Sequence, residues 1–392
     1  MPSIYLDNAT TTRLDPRLLP GMLRHLTEEF GSPSSPHSQG RRALQSLERA
    51  RAEVAALVGC QSEEIVFTSS ATEANNLAVK GVFRALGRRS PRLVVSSVEH
   101  VSVLHAAAAL ANEGAEIVQV GVNAQGRVDL NQISEALRGE AALVSVLHGN
   151  GEVGTVQALR EISLLARERG AVMHSDATMT AGLYPGLWRD LEVDLMTLSP
   201  HLFHGPKGIG ALVVRGGTRL KPQIEGGIQE GGLRAGTLSV ALAVGFGEAA
   251  RLAGEASPGR AQLLESLGGT LKKRLEAELG DWVLTGDPIQ RVPGHLSLCL
   301  PYVEGEAVLG LLDDEGIVAG SGSACTLGAG KASHVLTAMG VDPVLARGSL
   351  EFCFGIFNTV QEAEEVAKIL PGIVARLREL SPLGPDPSRA ET

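Results

Sequence analysis

Four polar side chains lie at the ends of strand-like runs or in small-residue turns, where they can act on a ligand. Asp176 ends the run AVMHSD, and its carboxylate can accept a hydrogen bond from a protonated ring nitrogen. His100 follows SSVE and can stack on a flat ring or transfer a proton. Asn150 lies in the turn of VLHGNGEVGT, and Cys325 in the small-residue loop SGSACTLGAG. A thiol in such a loop is a nucleophile if its pKa is lowered.

The segment TSSATEANN predicts a helix whose first turn faces a strand end. A strand is expected to end near Thr68 and a helix to begin near Ala71, with Ser70 and Glu73 in the spacing of a capping box. The free N–H groups of a helix N-terminus bind phosphate, and the hydroxyl of Thr72 can add to them. The alternative is a well-capped helix without a ligand, which the spacing alone favours.

Each of the other candidates also has a purely structural interpretation. Asp176 can cap the next helix, and His100 can be a partly buried histidine with satisfied hydrogen bonds. Asn150 tolerates the left-handed backbone that a Gly-rich turn needs. A free cysteine is usually an inert apolar residue, as expected for Cys60, Cys299 and Cys353, which have apolar neighbours. Cys325 has only small neighbours and does not fit that interpretation.

The elements that position these side chains alternate along the chain from about residue 41 to 255. Helix-period stretches such as RRALQSLERARAEVAALVG alternate with apolar runs such as EIVFTS, RLVVSS, ALVSVL and GALVV. This order predicts an α/β fold with a mostly parallel sheet flanked by helices, in which ligands bind beyond the carboxyl ends of the strands. After Gly254 the pattern changes. We expect a large domain over 15–254, a smaller α+β domain from 1–14 plus 255–380, and a loose tail over 381–392.

Composition and charge exclude several classes of function. The chain has 392 residues, a net charge of −9 and no long apolar run, so we expect neither a nucleic-acid partner nor a membrane span. The N-terminus lacks the features of an export signal. The four cysteines are far apart and fit neither a disulfide framework nor a metal site. A reducing, cytoplasmic location without a bound metal follows as the expectation.

Ten segments in order resemble the cysteine desulfurases, in the class V aminotransferase group of fold-type I PLP proteins. They are YLDNATTT, FGSPSSPHSQGRRA, TSSATEANNLAVKG, EHVSVL, GEVGTVQ, HSDAT, SPHLFHGPKGIGAL, GGLRAGT, VEGEAVL and SGSACT. The resemblance covers nearly the whole chain. It implies a seven-stranded PLP fold, a homodimer, and transfer of sulfur from L-cysteine through a loop persulfide to iron–sulfur assembly or tRNA thiolation.

Carried over by position, the resemblance implies roles for single residues. His100 matches the residue stacked on the PLP ring, and Cys325 the persulfide carrier. The remaining matches are contacts to the cofactor: Ala71 and Thr72 in the phosphate cup, Ser199 and His201 on the phosphate and cofactor sides, Asp176 at the pyridine nitrogen, Asn150 at the ring hydroxyl, and Thr237 reaching the phosphate of the other subunit.

The sequence departs from the family where the cofactor and substrate are held. The family motif S-x-H-K-x-x-G-P-K-G carries the Schiff-base lysine at the position of Leu202, and Lys207 matches its second lysine. The family's R-F-S-L-G-R, which binds the substrate carboxylate, here has Glu351 and Ile356 in place of its two arginines. The glutamine usual after the pyridine aspartate is Met179.

These losses lead to three hypotheses. The first is a desulfurase-like protein without normal turnover. It could act as a sulfur relay through Cys325 or as a scaffold for a sulfur-acceptor or iron–sulfur assembly protein. In a related form it is a subunit that completes the site of an active paralogue. The second is an enzyme that binds PLP non-covalently and acts on another amino-acid substrate. The third is a decayed paralogue with structural identity only.

Overall fold

A computed structural model describes residues 3–86, 89–257, 259–322 and 333–381. The strands among these residues are β1 (Ile4–Tyr5), β2 (Ile65–Thr68), β3 (Arg92–Ser96), β4 (Glu116–Val120), β5 (Ala141–Ser145), β6 (Val172–Asp176), β7 (Leu195–Leu198), β8 (Gly210–Val214), β9 (Val283–Leu284), β10 (His295–Cys299), β11 (Ile317–Val318) and β12 (Ser349–Cys353).

The α-helices within the same ranges flank these strands. They are α1 (Leu19–Thr27), α2 (Ser38–Val58), α3 (Ala71–Leu86), α4 (Val101–Leu110), α5 (Leu130–Ala136), α6 (Leu159–Glu168), α7 (Leu187–Leu191), α8 (Val240–Ala256), α9 (Gly259–Glu278), α10 (Gly305–Asp314), α11 (His334–Ala338), α12 (Pro343–Ala346) and α13 (Val360–Leu380).

A seven-stranded sheet forms the centre of the fold, in the order β2-β8-β7-β6-β5-β3-β4. Six strands run in one direction, and β8 alone runs against its neighbours β2 and β7. The predicted α/β class with a mostly parallel sheet is confirmed. Because the six parallel strands end at the same edge, the polar residues that follow β2, β3, β5, β6 and β7 are brought to one side of the molecule.

Helices cover both faces of this sheet, which is why its strands are apolar at nearly every position. Within β3, Leu93 and Val95 pack with Leu77 and Val82 of α3, whereas Val94 packs in the core on the opposite face. The alternation of side chains along a strand makes this division necessary.

A second sheet, β12-β10-β9, is antiparallel and packs with α9 and α13 around its own apolar cluster. The N-terminal strand β1 pairs with β11, so Ile4 lies opposite Ile317. We retain the division into 15–254 and 1–14 plus 255–380 as a proposal, which the separate sheet and cluster support. Residues 382–392 of the predicted tail lie outside the described residues.

The sequence pattern did not predict α8, because its alanine and glycine residues lie on all sides of the helix and weaken the apolar periodicity. The helix packs against α2 so closely that a Cβ on Gly247 would lie 2.6 Å from Cα of Ala50. Small residues at this contact therefore set the distance between the two helices. The two-residue strands β1, β9 and β11 are too short to carry a pattern, and β12, whose residues do alternate between polar and apolar, was also not predicted.

Candidate cofactor and substrate site

A cavity of about 290 Å³ opens at the carboxyl edge of the central sheet. The loops after β2, β3, β5, β6 and β7 build it, as expected for a parallel sheet. Six of the predicted site residues line it: Ala71, Thr72, His100, Asn150, Asp176 and His201. The structure thus brings together residues that are separated by up to 130 positions in the sequence.

The first turn of α3 forms one wall of the cavity. The Ser70 hydroxyl accepts a hydrogen bond from the Glu73 N–H at 3.2 Å, while the Glu73 carboxylate accepts one from the Ser69 N–H at 2.7 Å. The capping interaction predicted for Ser70 is present, with Ser69 in the reciprocal place. On the adjacent strand a Cβ at Gly210 would lie 2.5 Å from the Ser70 carbonyl carbon, so only glycine permits this approach. The helix N-terminus faces the cavity with N–H groups available for a phosphate.

Asp176 lies at the end of β6 and is 6% exposed. Its Oδ2 accepts a hydrogen bond from Nδ2 of Asn75 at 2.7 Å, and its Oδ1 accepts one from the Thr178 N–H at 3.0 Å. The residues that follow form turns, and the next helix begins only at Leu187, so Asp176 is not a helix cap. Each carboxylate oxygen can accept a second hydrogen bond, which leaves room for a ring N–H.

Sequence reasoning missed Asn75, the residue that orients Asp176. Asn75 is fully buried on α3, and its Nδ2 also donates to the Ser102 hydroxyl at 2.9 Å. Helical spacing could have indicated that Asn75 is buried, because it lies four and seven residues before Val79 and Val82 on the same face of α3. A polar residue on an apolar stripe needs a buried partner.

Glu99 is a second buried acid beside this site that sequence reasoning missed. It is fully buried and lines the cavity, and neither carboxylate oxygen has a hydrogen-bond partner of ordinary geometry, although the hydroxyl of Ser145 faces it. Burial, and after it the charge of Asp176, raises the pKa of the Glu99 carboxyl well above its usual value. The surroundings of Glu99 therefore disfavour its ionised form.

His100 caps α4 and keeps one ring nitrogen for the cavity. Its Nδ1 accepts a hydrogen bond from the Ser102 N–H at 3.1 Å and lies 2.7 Å from the Ser102 hydroxyl. His100 is exposed, so its interpretation as a buried structural histidine is wrong. Among the described residues Nε2 has no hydrogen-bond partner, and it is available to a ligand.

Asn150 organises its turn as well as lining the cavity. Its Oδ1 accepts hydrogen bonds from the N–H groups of Glu152 and Val153 at 2.9 Å, and its Nδ2 donates to the Val98 carbonyl at 3.0 Å. The left-handed residue of this turn is Gly154, with φ at 75°, and not Asn150. One N–H of the Asn150 amide is left to donate to a ring hydroxyl.

Two buried polar atoms beside β7 lack partners. The Ser199 hydroxyl is unpartnered in a residue that is 1% exposed, and Nδ1 of His201 is buried without a hydrogen bond. Burial, and after it the charge of Lys207, lowers the pKa of His201. Unsatisfied buried groups are costly, and they mark places where a ligand supplies the missing partner.

Of the three remaining predicted site residues, Ser199 and Thr237 do not line this cavity, and the third lies outside the described residues. Thr237 is exposed and does not line it, so its contact with the other subunit stays a prediction. Cys325 lies outside the described residues. Gly322, directly before residues 323–332, and His334, two residues after them, both line the cavity.

Leu202, which the resemblance aligns with the family's lysine, lines the cavity. Lys207 does not take its place, because it is exposed and its Nζ donates to the Thr12 carbonyl at 3.3 Å. Arg260 lies in a separate void of about 30 Å³ that Leu202 also borders. Within the described part of the chain, no lysine or arginine lines the larger cavity.

Glu351 lines the cavity from β12, where the resemblance predicts an arginine. Opposite it on β10 lies Ser297, and Oε1 of Glu351 is 3.2 Å from Nε2 of His295 on the same face. Burial raises the pKa of the Glu351 carboxyl, and the contact with His295 opposes this rise. Ile356 does not line the cavity, and its N–H donates to Nε2 of His204 at 3.4 Å.

The fold and the site define a protein of the PLP fold-type I class. A solved structure of a NifS-like protein superposes with a TM-score of 0.89, at 32% identity, over 95% of this chain and 100% of that chain. A NifS-like protein from Rickettsia africae superposes with a TM-score of 0.86, at 30% identity, over 95% and 99%.

The chain belongs to the aminotransferase class V family, whose model matches residues 4–366. Among curated relatives, the cysteine desulfurase IscS of Dictyoglomus turgidum is 39% identical over 379 residues, which are 97% of this chain and 96% of the relative. The cysteine desulfurase IscS of Anaeromyxobacter sp. is 42% identical over 383 residues, which are 97% and 94% of the two chains. The chain is thus a homologue of cysteine desulfurases over nearly its whole length.

The family implies PLP, and the residues present fit this cofactor without a lysine. The free N–H groups at Ala71 and the unpartnered hydroxyl of Ser199 suit a phosphate, and Asp176 suits a pyridinium nitrogen. His100 and Asn150 border the space between them.

In the described residues, no group of three or more His, Cys, Asp or Glu is arranged to hold a metal ion, and no helix is long and apolar enough to cross a bilayer.

Proposed function

We propose that this chain is a cysteine desulfurase-like protein of sulfur metabolism that binds PLP non-covalently and lacks normal desulfurase turnover. The observation that carries the proposal is the cavity wall itself. Leu202 lies in it where an amine is needed, Glu351 lies in it where the substrate carboxylate would bind, and no described lysine or arginine lines it.

The chain's own residues account for non-covalent binding. The N–H groups of the first turn of α3 and the Ser199 hydroxyl would hold the phosphate, and Asp176, kept in place by Asn75, would hold the pyridinium N–H. His100 would cover the ring face with Nε2 free. When bound, PLP supplies an electron-withdrawing ring that stabilises negative charge on a substrate carbon.

The same residues explain why ordinary desulfuration is lost. Leu202 has no group that can form a bond to the cofactor or move a proton, and the loss of general acid–base help alone slows a reaction by roughly 10²- to 10⁴-fold. An arginine binds a carboxylate through two hydrogen bonds, whereas Glu351 repels it when ionised. Both losses act on the same substrate, so L-cysteine is a poor ligand for this cavity.

The role that remains is a sulfur relay or scaffold in the cytoplasm. The relay acts through Cys325 and passes sulfur to an acceptor or iron–sulfur assembly protein, and the sequence motif and the cavity positions of Gly322 and His334 support it. A homodimer in which Thr237 reaches the partner's site, or pairing with an active paralogue, belongs to the same proposal. The exposure of Thr237 is compatible with either arrangement.

A second candidate is a PLP enzyme with a different substrate. The intact contacts of Asp176 and the free Nε2 of His100 favour it, because a decayed site has no reason to keep them. In this case His100 would transfer the proton that the lysine moves in the family.

The test begins with the purified full-length chain and added PLP. We expect reversible binding seen by absorption, no PLP retained after borohydride reduction and denaturation, and sulfide release from L-cysteine at least 100-fold below that of an active cysteine desulfurase assayed in parallel. A peptide carrying reduced PLP on a lysine, or sulfide release at the rate of the active enzyme, would overturn the proposal.

The relay is tested separately with Cys325→Ala and Cys325→Ser. Persulfide donated by an active desulfurase should label the parent protein and neither variant, while PLP binding stays the same. Equal labelling of all three proteins would remove the relay from the proposal and leave the scaffold.

A further inference from the structure

The end of the cavity that is built by Glu351 is acidic, and its acids are close enough to interact. The charge of Asp7 acts on Glu351, and the charge of Glu351 acts on Glu152. Glu152 and Glu351 both line the cavity, and Glu152 is held from outside by a hydrogen bond from the Ser333 hydroxyl. Among the described residues, this cavity wall offers the carboxylate of an amino acid no lysine or arginine as a partner.

Glu351 is buried without a hydrogen-bond donor for its Oε1. The residue is 6% exposed, and Oε1 is among the buried polar atoms without a partner. The nearest nitrogen, Nε2 of His295, lies 3.2 Å away, but its N–H is used by the Gly151 carbonyl at 2.7 Å. An unpartnered acid that is nine-tenths buried and faces a cavity requires a donor from the ligand.

His295 lies beside Glu351, but its Nε2 is directed at another acceptor, the Gly151 carbonyl. The His295 side chain is fully buried, and its Nδ1 has no hydrogen-bond partner. Because no described residue donates a hydrogen bond to Oε1 of Glu351, the missing donor would come from the ligand.

We infer that the Glu351 end of the cavity binds an alkylammonium group, so that its preferred occupant is a short diamine and not an α-amino acid. An ammonium carries three N–H donors and can serve Glu351 and Glu152 together. An organic cation is favoured over a metal ion because the described residues contain no group of three metal-ligating side chains. The inference rests on the proposed function only for the second amino group, which would face PLP.

Binding should be coupled to proton release. Burial raises the pKa of the Glu152 carboxyl to about 8, and burial also raises the pKa of the Glu351 carboxyl. The described titratable groups that act on Glu351 are Asp7, His295, Glu152 and Cys353, and Nδ1 of His334 lies 3.9 Å from Oε1 of Glu152. A bound ammonium stabilises the ionised acids, and diamine affinity is therefore expected to rise between pH 6 and 8.

The experiment is calorimetric titration of the full-length protein with 1,4-diaminobutane, 1-aminobutane and L-alanine, with and without saturating PLP. We expect the diamine to bind at least 10-fold more tightly than either competitor, and to lose at least 10-fold in affinity with Glu351→Gln. The matched control, Glu63→Gln, removes an exposed acid far from the cavity and should change nothing. Glu351→Arg should reverse the preference toward L-alanine.

The outcomes separate this inference from the proposed function. Diamine binding that depends on Glu351 but occurs without any PLP binding would support the inference and contradict the proposed function. PLP binding with equal affinity for the diamine, the monoamine and L-alanine would overturn the inference alone. If Glu351→Gln does not fold, the affinities of the parent protein for 1,4-diaminobutane and 1-aminobutane still test whether the cavity prefers a diamine. Equal competition by potassium ions would also overturn the inference.

Discussion

Glu152 makes the stability of this protein depend on pH in a way that a single substitution can isolate. The residue lines the cavity, its side chain is 20% exposed, and it accepts a hydrogen bond from the Ser333 hydroxyl. Burial is the main cause that raises its pKa from 4.5 to about 8, and the charge of Glu351 adds to it. The perturbation that we consider is Glu152→Gln, which keeps the size of the side chain and cannot ionise.

The direction of the pH dependence follows from the protonation of Glu152 in the folded and in the unfolded state. Below the unfolded value of 4.5 both states carry the proton, and stability is at its full value. Between 4.5 and about 8 only the folded state keeps the proton, so stability falls as pH rises. At roughly 1.4 kcal/mol per pH unit, the free energy of unfolding would fall by about 5 kcal/mol over this range. Because a fifth of the Glu152 side chain is exposed to water, we reduce this loss to ~2–4 kcal/mol.

The assay is urea unfolding of the parent protein and of Glu152→Gln at pH 5, 7 and 9. We expect a difference below about 1 kcal/mol at pH 5 and a variant that is more stable by ~2–4 kcal/mol at pH 9, because only the parent must ionise a buried acid. Glu63→Gln is the control, since Glu63 is exposed and its removal should give no pH-dependent difference. Parallel pH profiles for the parent and Glu152→Gln would refute the reasoning.

Three further predictions concern the cofactor and the core. Leu202→Lys should yield PLP that borohydride traps on residue 202 but little sulfide from L-cysteine, because Glu351 remains; strong turnover would show that the acid is tolerated. Asp176→Asn should weaken PLP binding by about 10- to 100-fold in an absorption titration, as expected for the loss of a charged hydrogen bond; an unchanged Kd would place the pyridine nitrogen elsewhere. Arg51→Leu should lower the free energy of unfolding by about 3–5 kcal/mol in urea, because it leaves the buried Glu230 carboxylate without its charged partner; Oε1 of Glu230 accepts a hydrogen bond from Arg51 at 2.7 Å. A loss below about 1 kcal/mol would contradict this.

Sequence patterning predicted the fold because its signals are local. Residues that alternate between helical and apolar strand-like runs can form a parallel sheet only with crossover helices, and the carboxyl ends of its strands then share an edge. The candidate residues that follow these strands, such as Asp176 and His100, were predicted to meet for that reason, and they line one cavity. The apolar run GALVV predicted β8 as a strand, but nothing local indicated its antiparallel direction, and the helix α8 lacked a local signal.

The amino-acid sequence by itself determined which residue types stand at the motif positions, since Leu202 and Glu351, which the resemblance aligns with a lysine and an arginine, are identified without coordinates. Only the tertiary structure decided which groups act on those that remain. Asn75 meets Asp176 across 101 positions, and His295 meets Glu351 because β10 and β12 pair in one register. Contacts of this kind depend on the register of strands and the packing of helices, which the whole core fixes and no local pattern records.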